Sequence, residues 1–94
     1  MASWSKPKDP DAVLDYQFNW SDWLQEDETI VESIFIVEGS STLVLDRELI
    51  NGGFTEFWAA GGENGDIAKI TNRITSSEGR VDDDTCTLRI RSSR

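Results

Sequence analysis

Asp15–Leu24 reads DYQFNWSDWL, and after four polar positions Thr29–Val37 reads TIVESIFIV. In the first stretch and the residue before it, Leu14, Tyr16, Phe18 and Trp20 alternate with Asp15, Gln17 and Asn19. A period of two gives a strand one dry face and one wet face. Ser21 offers an N-cap, so a single helical or 3₁₀ turn is expected over Asp22–Leu24, with Trp23 and Leu24 closing one end of the core. Tyr16, Trp20 and Trp23 are assigned to that core. The second stretch is β-branched and apolar on both parities, which suits a strand. Val31, Ser33, Phe35 and Val37 share the parity assigned to the core. Ile34 and Ile36 then stand on the outer face, where either an N-terminal arm or another subunit covers them.

Working outward, Gly39–Thr42 is turn chemistry, Leu43–Asp46 a short strand, and Asn51-Gly52-Gly53 a turn ahead of FTEFWAA at 54–60. Phe57 and Trp58 are neighbours in that strand and point to opposite faces, so one packs the core and the other meets an edge or a partner. Ala68, Ile70, Asn72 and Ile74 form an inward row, and Cys86, Leu88 and Ile90 form another. The polar turn Ser76–Gly79 makes the two a hairpin with a threonine- and arginine-rich outer face. Asn72 on the inward row needs hydrogen-bond partners, expected from backbone groups of a neighbouring loop. Residues 1–11 hold two prolines and read as an extended arm, followed by the domain at 12–94. Trp4 in the arm either folds back as a lid or anchors a partner. The expected fold is all-β, an immunoglobulin-like antiparallel β-sandwich of about seven short strands, with a small closed barrel as the alternative.

Ninety-four residues make one domain with one core. Eighteen acids against nine bases give a net charge of −9, which argues against phosphate-neutralising contacts with nucleic acid and against anionic membrane surfaces. A single cysteine, Cys86, excludes an internal disulfide. With no histidine to activate it, it reads as a buried, inert thiol. MASWSKPKDP lacks the apolar run of a signal peptide, and nothing reaches the roughly 18 apolar residues of a membrane span, so a cytoplasm or a particle assembled there is the expected location. Paired-carboxylate catalysis and zinc find no constellation, and no cofactor is expected. Asp82-Asp83-Asp84 could help bind calcium with Glu63 or Asp66 only if they lie in a loop. The Gly61–Asp66 loop lacks the lysine and the strand-to-helix setting of a phosphate loop.

DYQFNWSDWL, the following ETI, FWAAGG and TNRITSSEGR together resemble a family of small virion proteins of tailed bacteriophages and prophages described as fibre-tail adaptors. The resemblance runs from Lys8 to about Ile90, with the WSDWL block as its most specific part. It implies an immunoglobulin-like virion component that binds other virion structural proteins and catalyses nothing. Ala68, and Ile34 and Ile36 on an outer face, depart from the family pattern and point to an extra contact surface. Trp4, Ile34, Ile36, Phe57 and Trp58 are the candidate partner interface, the last two according to which faces outward; a homo-oligomer is left open. The alternatives are a soluble acidic binding or inhibitor module and a carbohydrate-binding sandwich with Trp58 beside the acidic loop.

Overall fold

The computed structural model describes residues 4–92, which form seven strands in two sheets. The strands are β1 (Trp4–Lys8), β2 (Val13–Asn19), β3 (Ile30–Glu38), β4 (Leu43–Asn51), β5 (Phe54–Gly61), β6 (Ile67–Ser76) and β7 (Val81–Ile90). One sheet runs β1-β7-β6-β3 and the other β2-β5-β4. This is the all-β sandwich expected from the alternation, with an immunoglobulin-like division of strands between layers. Every pairing is antiparallel except β1 with β7, where Trp4 lies opposite Cys86 and Lys8 opposite Ile90. Residues 4–8 of the arm are therefore an edge strand. Pro7 fits there, because a proline disturbs no ladder on an unpaired edge.

Side chains from both sheets meet in one core. Phe18, Trp20, Phe57, Ile70, Ile74, Leu88 and Ile90 are enclosed, and Phe57 lies 5.1 Å from Phe35 and 5.6 Å from Tyr16 between ring centroids. Such offset or tilted aromatic contacts are each worth about 0.5–1.5 kcal/mol beyond the area buried. Lys8 is enclosed too, its ammonium donating to the carbonyl oxygens of Gly61 and Asp9. Its burial lowers its pKa, offset in part by Asp9 and Asp11.

Two β-bulges revise the reading by parity. Between Ile30 and Glu32 the register with β6 slips, so Ile30 turns into the core and Val31 is 58% exposed, whereas Phe35 and Val37 face inward as expected. An extra residue in a strand reverses the faces on one side of it. β4 runs to Asn51 instead of ending at Asp46, because a second slip between Asp46 and Leu49, with Arg47 at φ 51°, lets pairing resume. The Asn51–Phe54 pair closes over Gly52-Gly53, a two-residue hairpin in which Gly52 takes φ 60°.

The turn after β2 forms, but its cap is not Ser21. Trp23 and Leu24 donate to the carbonyl of Trp20, while the Asn19 Oδ1 accepts from the Ser21 amide and hydroxyl. An asparagine side chain bonding two residues ahead is an Asx turn, and it pre-empts capping by the serine.

Candidate functional site

The expected interface residues lie in four separate places. Ile34 and Ile36 are 44% and 39% exposed on the outer face of the four-stranded sheet. Their cross-strand partners on β6 are Arg73 and Thr71. Thr71 hydrogen-bonds Thr85 on β7 at 3.0 Å, and Arg73 makes a bidentate pair with Asp83 at 2.7 and 2.9 Å. An apolar and hydroxyl centre beside a charged margin is therefore built from three strands. β1 lies at the opposite edge of this sheet from β3, so residues 4–8 do not cover the isoleucines. Met1–Ser3, the rest of the start of the arm, lie outside the described residues.

Phe57 is enclosed at the centre of the aromatic cluster and offers no surface to a partner. Trp58 is thus the outward member of the pair, half-buried on the outer face of the three-stranded sheet. It is not a bare platform. The bulge in β4 aims Arg47 across it, with the guanidinium carbon 4.0 Å from the ring centroid. Asp15 and Asp46 flank Trp58 across the two neighbouring strands. Trp4 packs on the core at the side between β1 and β2, stacked on Tyr16 at 5.8 Å and tilted against Phe18 at 5.5 Å.

Beneath the Ile34 face lies a polar network that periodicity placed but could not populate. The Asn72 carbonyl accepts from the Thr55 hydroxyl at 2.6 Å and from the Trp20 indole at 3.0 Å. Its amide donates to the Ser33 hydroxyl at 2.8 Å and to the Ile34 carbonyl at 3.0 Å. The partners are the side chains of Thr55 on β5, Ser33 on β3 and Trp20 just after β2, with a strand carbonyl, not the backbone of a neighbouring loop. The network ties both sheets to the backbone that presents Ile34.

A second knot holds the far end of the β6–β7 hairpin. Glu28 accepts from both Nε and Nη2 of Arg80, from the Ser76 hydroxyl and from the Gln25 amide. Arg80 also donates to the Trp23 carbonyl and lies 4.0 Å over the Trp23 ring. Hydrogen bonding to Arg80, with the Gln25 and Ser76 bonds adding, holds the Glu28 carboxyl at about 2 against a desolvation effect in the other direction.

The remaining chemistry is quiet. Cys86 is enclosed, and burial with the nearby Asp84 carboxylate pushes its thiol up to about 12. Asp82, Asp83 and Asp84 lie in β7 and alternate faces, Asp83 outward on Arg73 and Asp84 inward and nearly enclosed, so they do not converge on one cation. Asp66 is occupied by the Ser40 hydroxyl and the Glu63 amide. Among the described residues no helix is long and apolar enough to cross a membrane.

Residues 8–89 match the family model described as podophage GP4 fiber-tail adaptor protein gp77, a match that spans nearly the whole chain. None of the curated proteins matches it.

Proposed function

This chain belongs to the podophage GP4 fiber-tail adaptor family, and from that premise we propose that it is a non-enzymatic joint that binds other virion proteins through exposed sheet surface. A structural role in the phage tail is what the family indicates. The observation that supports sheet contact as the means is the Ile34/Ile36 face. Two large apolar side chains are exposed on the outer face of the four-stranded sheet, next to hydroxyl-bearing threonines and the Arg73–Asp83 ion pair. Water is displaced easily from such a surface, and large apolar groups at its centre dominate contact energy. Trp58 and Trp4, on the other sheet and at the open side, are the further contact residues of this reading. The partners are virion proteins rather than nucleic acid or membrane, in keeping with the net charge of −9. Assembly takes place in the host cytoplasm, and self-association through the same face is compatible with the geometry.

The test is retention on particles. Ile34→Glu with Ile36→Glu changes an exposed face and should leave the circular dichroism and Tm close to wild type. Co-expressed with the tail and fibre proteins of its parent particle, the variant should be lost from sedimenting particles that retain the wild type. A folded variant retained at the wild-type level would remove this face from the contact.

A further inference from the structure

Between the edge strands β1 and β2 the sandwich is open, and a groove of about 530 Å³ runs there, lined by Trp4, Lys6, Asp15, Tyr16, Gln17 and Glu56 among others. One feature of its wall is unfinished. β2 pairs only with β5, so among the described residues its other edge carries no strand. Unpaired edge amides and carbonyls are a template for an added strand.

The charges of the wall say what that strand carries. Asp15 and Glu56 are acids, and the ammonium of Lys6 is drawn 5.4 Å over the Trp4 ring, on a chain of net charge −9. The geometry points to an extended, basic segment of a partner virion protein, docked in this groove as an added strand along β2. Its backbone meets the free edge, and alternate lysine or arginine side chains meet Asp15 and Glu56. This rests on the adaptor reading and deepens it by naming where, and in what conformation, a partner is gripped.

The probes are two synthetic peptides of about eight residues, matched to the length of β2, alternating valine or threonine with lysine in one and with glutamate in the other. Calorimetric titration should show saturable binding of the lysine peptide alone, and hydrogen exchange should show β2 amides gaining protection. Asp15→Lys with Glu56→Lys should reverse the preference toward the glutamate peptide. No saturable binding of the lysine peptide, or binding that gives the β2 amides no protection, would overturn the proposal. Binding of oligosaccharides in place of the peptides would also overturn it and make the groove a glycan site. Particle retention separates the two readings. If the charge-reversed protein stays on particles after losing the peptide, the groove is wrong and the adaptor role stands; if the wild type never joins particles, the adaptor role fails whatever the peptides do.

Discussion

Replacing Asn72 by leucine keeps a side chain of similar size at the centre of the sandwich and deletes four hydrogen bonds. Asn72 and Thr55 are fully enclosed, as is Trp20, so water cannot take over at those groups. The Thr55 hydroxyl loses its 2.6 Å acceptor, the Trp20 indole keeps only a long 3.3 Å contact to Thr55, and the Ile34 carbonyl loses a side-chain donor. At about 1–3 kcal/mol for each buried group left without a partner, and with two to three such groups, the cost lies within about 2–9 kcal/mol, with about 4 kcal/mol as its central value. A domain of this length has a total stability of about 5–14 kcal/mol, so at that central value Asn72→Leu should remain folded at low temperature with little margin. At about 4–8 °C per kcal/mol, a cost of about 4 kcal/mol should lower its Tm by roughly 15–30 °C.

Urea denaturation followed by tryptophan fluorescence measures this directly, and a second substitution tells the cause. Thr55→Val in the Asn72→Leu background removes a hydroxyl that has lost its acceptor, at the expense of its long contact to the Trp20 indole, so it should cost at least about 1 kcal/mol less there than Thr55→Val costs alone. That coupling is the signature of hydrogen bonding. An Asn72→Leu protein within about 1 kcal/mol of wild type, or a double variant that is simply additive, would refute the assignment of this energy to the network and leave packing as its source.

Glu28→Gln should flatten the acid limb of stability. The Glu28 carboxyl titrates at about 2 when folded and near the ordinary glutamate value of 4.5 when unfolded, so its contribution is full above the higher value and is lost as pH falls through the lower one. Denaturation midpoints from pH 5 to pH 2 should fall less steeply for the glutamine variant, and parallel slopes would contradict the knot with Arg80. Cys86 should resist alkylation by iodoacetamide at pH 8 in the native protein and react on unfolding, since burial raises its pKa and blocks access; full labelling of native protein within minutes would contradict its placement. Gly39→Ala should cost more than about 1 kcal/mol in urea, because the position has φ 88° and a Cβ there would collide with the Ile67 carbonyl oxygen. An unchanged midpoint would mean that the two strands separate freely at this turn.

What was legible in the sequence is what alternation controls. Phe18 and Trp20, Ala68 to Ile74, and Cys86 to Ile90 are inward because their strands are regular and each has a wet face. Val31 and Arg47 were illegible for the same reason: each sits at a bulge, and a bulge depends on the partner strand's register, not on the run that contains it. Phe57 and Trp58 could be placed on opposite faces but not sorted. The sorting comes from Tyr16, Phe18 and Phe35, whose rings meet Phe57 from two other strands. The parallel pairing of residues 4–8 with β7 is a contact over most of the chain's length, and it converts a proline-containing arm into an edge. Without that edge there would be no groove for Tyr16 to line.

The polar network joins the two proposed contact surfaces into one mechanical object. Asn72 bonds the carbonyl of Ile34, so the backbone that holds the outer isoleucines is fixed by a side chain inside the core. The same Asn72 takes the indole of Trp20, the residue that follows β2, whose earlier residues Asp15, Tyr16 and Gln17 wall the groove. A joint must transmit load between partners without letting one surface turn relative to the other. Apolar packing alone resists separation of the sheets but tolerates sliding, because its energy depends on area and not on direction. A directional network anchored on an enclosed asparagine opposes sliding as well, since a shift breaks the bonds to Thr55 and Trp20 that water cannot replace. Asn72→Leu should therefore weaken both the particle contact at Ile34/Ile36 and peptide binding in the groove, at a temperature where the variant is still folded. Surface substitutions such as Arg73→Ala, which breaks only an exposed ion pair, should leave peptide binding in the groove untouched. If Asn72→Leu weakens neither while folded, the surfaces are independent, and the rigidity lies elsewhere in the sandwich.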